Sequence, residues 1–465
     1  MQKGEIDVAN HDLTVGDPGK VIREYCLPLF GSVFFQQMYN LADSFVAGQF
    51  IGENALAAVG NSYEITLIFL AFAFGCNTGG SVVSARYFGA KEYGKVKTAI
   101  FTSLITTVTV CAVLTAFGML FAAPLLQVIQ TPPNIFEESL SYLRIYTCGL
   151  AFVFLYNVAN GIFSALGDSR TPFLFLMVSS SANVALDILF VSEFNMGVAG
   201  VAWATFICQG AACVPALIIV LLKAKKLSKV HSQIFTFSML KEFVAVAVPS
   251  VLQQGFVAAG NIVIQSVVNA YGAAVIAGYS AAVKMNNMVT ACFSTIGSGV
   301  ANYTSQNLGA GCTERIKEGF AASVKFVWGI SAAMLLIYEI FPKQLVQLFL
   351  NDPSSTALQT GIDFLRIVAP FYFAPAFKIM CDYFLCGAKM MYYVVFSICL
   401  DLGLRASIAL LCSNLFHTAF SVWFAWPVGW VIAACVTFAL YRHGMPKAIK
   451  RLQPTPYENG EPNNV

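Results

Sequence analysis

Apolar residues run along this chain in stretches of about twenty, and a helix of that length crosses a bilayer. Twelve such runs are legible, at about 21–50, 55–85, 98–123, 139–164, 172–192, 197–222, 242–270, 274–306, 319–341, 358–386, 391–412 and 416–441. A membrane β-barrel would instead alternate apolar and polar residues in short segments, so the pattern predicts an all-α integral membrane protein of twelve transmembrane helices. Loop Lys and Arg sort to one side of that arrangement, among them Lys91, Lys95, Arg170, Lys225, Lys226, Lys389 and Lys447, whereas the opposite loops hold only Lys343. The bias predicts that both termini are cytoplasmic.

The longest polar interruption, 223–241, falls at mid-chain and divides the runs into two sets of six. Gly52, Ala57, Gly79, Gly89-Ala90 and Lys97 recur as Gly272, Ala277, Gly299, Gly309-Ala310 and Lys317, all at an offset of 220. Parallel repeats of this kind predict two pseudo-symmetric six-helix lobes with a substrate path at or beside their interface. The expected division is a cytoplasmic N-terminal segment (1–20), an N-terminal lobe (21–222), a cytoplasmic linker (223–241), a C-terminal lobe (242–441) and a disordered tail (442–465) rich in Pro, Asn and Glu.

Composition agrees with a membrane protein: 57% of the 465 residues are hydrophobic and 11% charged, with a mean hydropathy of +0.70. The net charge of +3 sits mainly in loops, where it sets topology and gives no surface for nucleic acid. The thirteen cysteines lie scattered in apolar runs without metal-ligand spacing and are expected to be buried thiols. The first twenty residues contain four acids and no apolar core, so no cleavable signal peptide is expected.

Inside the runs the polar residues are few and patterned. Ser179, Asn183 and Asp187 are spaced by four within an apolar helix and form one polar stripe. Gln36, Asn40, Asp43 and Ser44 share a face of the first span, with Tyr39 beside them, and Thr205 and Gln209 lie four apart on the sixth. Counted from the helix ends, Asp43, Asp187 and Thr205 lie roughly 9 to 12 Å below the outer surface. A charge in that position costs at least roughly 2.5 to 3.5 kcal/mol unless neutralised. Two carboxylates, an amide and a hydroxyl are hard oxygen donors suited to a small cation and poorly suited to zinc or copper. Without a cation, one of two adjacent carboxylates should be protonated near neutral pH. Asp43, Asn183, Asp187 and Thr205 are therefore the candidate cation site, for sodium or a proton; the alternative is interhelical hydrogen bonding.

Other positions carry weaker signals. Pro28, matched by Pro249, is a candidate hinge or a fixed kink. Glu64 and Lys284 occupy equivalent places in the repeat and either pair across the lobe interface or pair locally. Lys378 with Asp382 and Arg405 with Asp401 are i,i+4 pairs expected to be structural. The four histidines lie in loops, tails or at a span end, no serine has a plausible partner, and there is no Walker A loop, so neither an enzyme nor an ATP-driven machine is expected.

These residues resemble the multidrug and toxic compound extrusion transporters over about residues 20 to 442. The likeness rests on Pro28 with Gln-x-x-Tyr-Asn-x-x-Asp (Gln36 to Asp43), Arg86-Tyr-Phe-Gly-Ala90-Lys after span two, and Asn183-x-x-x-Asp187 with Thr205. The resemblance implies a cation site at Asp43, Asn183, Asp187 and Thr205 in the N-terminal lobe. It also implies an adjoining drug cavity lined by Gln36, Tyr39 and Asn160, and Asn40 and Gln209 are placed there with them. One branch of the family uses an acid on span seven, but here that span offers Gln253, Gln254, Asn261 and Gln265, which places coupling in the N-terminal lobe. The implied activity is antiport: amphipathic or cationic drugs or metabolites leave across the plasma membrane of a prokaryote as sodium or protons enter. The chain is expected to act as a monomer, with the bilayer its other partner and no cofactor. A flippase for a lipid-linked precursor is the alternative, although Lys284 and Arg405 are few cations to hold a pyrophosphate.

Overall fold

The computed structural model describes residues 12–46, 53–227, 232–349 and 355–450, and the described residues contain helices and no strand. The N-terminal half comprises α1 (Pro18–Val46), α2 (Glu53–Gly89), α3 (Tyr93–Val128), α4 (Phe136–Cys148), α5 (Leu150–Ala165), α6 (Arg170–Ile188) and α7 (Gly197–Leu227). The C-terminal half comprises α8 (Phe237–Asn269), α9 (Ala273–Gly309), α10 (Thr313–Ile340), α11 (Pro342–Gln347), α12 (Ser355–Val368), α13 (Phe373–Gly387), α14 (Met391–Phe416), α15 (Ala419–Val422) and α16 (Ala425–Lys450). Eight of these are long and apolar enough to span a membrane alone, and two bent pairs, α4 with α5 and α12 with α13, bring the count to ten. The more polar α1 and α9, of 29 and 37 residues, are also long enough to cross and complete the twelve.

The two bends fall at matched places in the repeat. One turns by 48° at Gly149 and the other by 56° around Ala369–Tyr372. Pro370 removes a backbone donor in the second, and Gly149 leaves room for Phe206 in the first, whose ring would lie 3.1 Å from an added Cβ. Runs that read as single spans are therefore broken ones.

Helix extends into two segments that the sequence places outside the spans. The expected linker is helical at both ends: α7 continues to Leu227, and α8 starts at Phe237 with Thr236 as its cap, the Thr236 hydroxyl accepting from the Met239 amide at 3.3 Å. The tail expected from 442 is helical as far as Lys450 and not disordered there: Met445 and Ala448 are buried in the C-terminal core, and Gly444 packs against Leu385 and Tyr393. At the other terminus, Leu13 is fully buried ahead of α1.

The repeat is visible in how the lobes cross. α1 packs on α9 and α10 of the opposite lobe, and α8 packs on α2 and α3. Gly79 faces Phe243 and Ala247, and Gly299 faces Tyr25, Cys26 and Leu29. The crossing is tightest where α2 and α9 end: a Cβ at Gly89 would lie 2.0 Å from the Gln306 carbonyl oxygen, and one at Gly309 would lie 2.0 Å from that of Arg86. These pairs exchange under the offset of 220, so a pseudo-two-fold axis passes between them. Side chains the two backbones cannot accommodate are replaced by hydrogen.

Around that crossing, at the end of the bundle that carries both termini, the lobes are joined by buried polar contacts. Ser81 donates to Asn302 Oδ1 (2.7 Å), Ser305 to the Val82 carbonyl (2.7 Å) and Gln306 Nε2 to the Ala165 carbonyl (2.7 Å). Tyr87 donates to Glu242 (2.6 Å), whose other oxygen receives the Lys389 ammonium. Burial pushes the Lys389 amine below its ordinary pKa, and Glu242 offsets that only in part. The N-terminal lobe has a similar tie at this end, where Asp168 accepts from Lys223 and from the Thr171 amide and hydroxyl. Burial pushes the Asp168 carboxyl upward, but these donors outweigh it and leave the pKa below the ordinary range.

The C-terminal lobe contains the buried charges noted as i,i+4 pairs, and it connects them. Lys378 Nζ lies 2.8 Å from Asp382 and 4.0 Å from Asp401 on the neighbouring helix, while Arg405 Nε lies 3.3 Å from Asp401 and its guanidinium stacks 4.7 Å from the Trp426 ring centre. All four are buried, so the cluster is neutral as a unit and costly to break. Lys378→Met leaves a buried acid without its cation and should cost about 3 to 5 kcal/mol, read as a lower melting temperature in detergent. Adding Asp382→Leu should restore most of the loss; a single variant as stable as the parent would exclude a structural role.

Candidate ion and substrate site

The polar stripe lies on α6, which packs between α1 and α7. Ser180, Asn183 and Asp187 belong to its buried face, with Asn183 1% and Asp187 0% exposed, whereas Val178, Ser181, Ala182 and Ala185 face outward. Spacing by three and four turns the polar residues inward together. Their orientation therefore follows from the sequence period.

Between α1, α6 and α7 lies a narrow cleft lined by Gln36, Leu176, Ser179, Ser180, Asn183, Thr205, Cys208 and Gln209. Four expected site residues, Gln36, Asn183, Thr205 and Gln209, thus share one space. Its lining is neutral and rich in oxygen: two amide side chains from α1 and α7, the Asn183 amide, and the hydroxyls of Ser179, Ser180 and Thr205. Asp187 lies one turn beyond Asn183 on the same buried face and is not part of the cleft wall.

Immediately after Ile188 the helix widens into a π turn, Leu189–Glu193, before α7 begins at Gly197. Such a turn rotates the residues beyond it out of α-helical register, and π turns recur at functional sites. Nothing in the residue types between Leu189 and Glu193 marks it in advance.

The other expected residues are placed as follows. Asn160 on α5 is half-buried and is not among the residues lining the cleft. The side chains of Tyr39, Asn40, Asp43 and Glu64 lie outside the described residues, so the expected meeting of Asp43 with Asp187 and the pairing of Glu64 with Lys284 do too. Lys284 is exposed, with its ammonium 5.8 Å from the Phe349 ring centre, a cation–π contact within its own lobe. Pro28 lies inside an unbroken α1, its carbonyl accepting from the Ser32 hydroxyl at 3.0 Å. Close by, an added Cβ on Gly31 would lie 2.8 Å from the Phe173 ring of α6. This close approach of α1 to α6 falls one turn after the proline.

Two six-helix lobes that cross a membrane, with a polar cleft inside one of them, are the architecture of a membrane transporter. The MatE family model matches residues 28–189 and again 249–411, one copy in each lobe. The chain belongs to the multidrug and toxic compound extrusion family. It is 26% identical over 448 residues to the probable multidrug resistance protein YpnP of Bacillus subtilis (strain 168), covering 95% of this chain and 98% of that one. To the FAD transporter of Shewanella oneidensis it is 24% identical over 372 residues, covering 78% and 81%. Among solved structures it resembles an outward-facing multidrug resistance MATE family transporter with a TM-score of 0.90 at 22% identity, covering 96% of this chain and all of that one.

Proposed function

We propose that this protein is a secondary active antiporter of the plasma membrane, with both termini in the cytoplasm, that exports amphipathic or cationic small molecules in exchange for sodium or protons. The observation that carries the reading is the cleft in the N-terminal lobe, where Gln36, Asn183, Thr205 and Gln209 converge beside the buried carboxylate of Asp187. The names of the bacterial relatives support drug-like cargo. The Lys and Arg bias supports the orientation, which makes the sealed, termini-bearing end the cytoplasmic one.

In this cycle the N-terminal lobe, open to the outside, accepts a cation at Asp43, Asn183, Asp187 and Thr205. The buried carboxylate supplies the charge, and the amide and hydroxyl replace water on a sodium ion. Occupancy moves α1 against α6, with Pro28 as the compliant point, and displaces the drug from Gln36, Tyr39, Asn40, Asn160 and Gln209. The lobes then rock, the cation leaves inward and the next drug binds. Each positive charge moved inward supplies about 2.3 kcal/mol per 100 mV, enough for roughly 50-fold accumulation of cargo.

The test is uptake of one fluorescent organic cation into proteoliposomes under a sodium gradient alone and a pH gradient alone. Uptake under either supports antiport, and uptake under neither removes the proposal. Thr205→Ala should reduce sodium-driven uptake several-fold more than proton-driven uptake, because a hydroxyl ligates a metal ion but is not needed to protonate a carboxylate. Equal loss under both gradients would count against sodium ligation by that hydroxyl.

A further inference from the structure

The segment before α1 is a built structure. Asp12 Oδ1 accepts from the Thr14 amide (2.9 Å) and hydroxyl (2.6 Å), and the Asp12 carbonyl accepts from the Val15 amide (3.3 Å), so residues 12 to 15 form a turn. Gly16, at φ +90°, reverses the chain, Asp17 caps the first turn of α1 by accepting from the Lys20 amide (2.8 Å), and Pro18 opens the helix. This geometry holds Leu13 in a fixed position.

Leu13 is fully buried in the core of the opposite lobe. Its amide donates to Gln306 Oε1 (3.2 Å), and its carbonyl accepts from Asn307 Nδ2 (3.1 Å) and Arg315 Nη2 (3.4 Å). Arg315 Nη1 also donates to the Gly16 carbonyl (2.6 Å), and Arg315 Nε holds Asn307 Oδ1 (3.0 Å). Gln306, through its other amide atom, reaches the Ala165 carbonyl at the end of α5. One C-terminal-lobe side chain thus joins the strap to the body of the N-terminal lobe. The strap lies across the closed end of the lobe interface, and every one of these contacts except Arg315 to Asn307 crosses from one lobe to the other.

We infer that residues 12 to 16 form a latch that holds the two lobes together at this end, and that the latch must release Gln306, Asn307 and Arg315 each time the interface opens there. The inference rests on the reading that the lobes alternate between closed and open at the termini-bearing end. Direct hydrogen bonds between lobes cannot persist when the helices carrying them separate. Leu13 would leave an apolar socket at the same time, so closing is favoured by burial as well as by the polar contacts.

A reversible lock tests this. In Leu13→Cys/Gln306→Cys, mild oxidation should join strap to α9, and gradient-driven transport should fall at least tenfold and return on reduction, with the parent given the same oxidant as control. Full transport by the cross-linked form would overturn the latch. If the reduced pair is itself inactive, a second measurement decides without any transport assay. Cys26, buried between the lobes with its thiol 3.8 Å from the Ile296 carbonyl of α9, reports opening by its alkylation rate, read by peptide mass spectrometry against the exposed Cys148. Arg315→Ala, which removes the donors to Leu13 and Gly16, should speed Cys26 alkylation at least fivefold; an unchanged rate would overturn the latch. Loss of transport in the parent would sink the antiport reading and leave the alkylation result standing.

Discussion

Asp187→Asn is expected to abolish gradient-driven efflux while leaving the protein folded and expressed. The change keeps the volume of the side chain and its capacity to accept a hydrogen bond, and it removes the charge and the titration. A fully buried carboxylate in a membrane helix is held against a cost of at least roughly 2.5 to 3.5 kcal/mol for its ionised form. Neutralising it should therefore leave stability unchanged or raise it. The alternative, that Asp187 ties helices together, makes the opposite prediction: a lower melting temperature with transport reduced only in proportion to folded protein. Coupled uptake in proteoliposomes should fall by at least tenfold, with the melting temperature at or above that of the parent. Retained uptake would show that coupling does not pass through Asp187.

The interpretation of that variant rests on a part of the molecule that was readable in the sequence. A period of four in an apolar run cannot place Ser179, Asn183 and Asp187 anywhere but on one helix face, and the structure turns that face inward. The same holds for the two lobes, because an offset of 220 between glycines is a statement about backbone approach: Gly89 and Gly309 do face each other's lobes. What could not be read depends on which helices meet. Asp382 and Asp401 gave two local pairs, but that Lys378 reaches both follows only from α13 lying beside α14. The π turn after Ile188 and the breaks at Gly149 and Pro370 interrupt runs whose hydropathy is continuous. The strap carries no signal of its own, because Leu13 and Val15 are isolated apolar residues with no helical or strand period, and only the partners of Leu13 on α9 and α10 give it a place. Asn302 to Asn307 is a polar run at the end of an apolar span, but a buried polar run and an exposed one look alike in sequence.

The glycine crossing carries the second large effect. An added Cβ at Gly89 would lie 2.0 Å from the Gln306 carbonyl oxygen and 2.6 Å from its Cα, both backbone atoms that no rotamer change can move. To restore ordinary contact, α2 and α9 must part locally by roughly 1.4 Å, and the hydrogen bonds of Ser305, Gln306 and Ser81 across the same interface lengthen with them. Overpacking of this kind typically costs about 1 to 3 kcal/mol. Applied only to the closed state of the termini-bearing end, that cost shifts the closed-to-open ratio by roughly 5- to 150-fold. Gly89→Ala should therefore slow transport strongly and speed Cys26 alkylation. The pseudo-two-fold axis adds a stricter requirement: Gly309→Ala, which meets the Arg86 carbonyl at the same 2.0 Å, should do the same from the other lobe and to a similar degree. Gly60→Ala is the control, because it too is a glycine inside α2 but nothing lies within 4 Å of its added Cβ. It should leave both readouts unchanged, since alanine favours the helix. If Gly89→Ala and Gly309→Ala behave like Gly60→Ala, the lobes do not need to approach this closely, and the closed end described above is not a working state of the transporter.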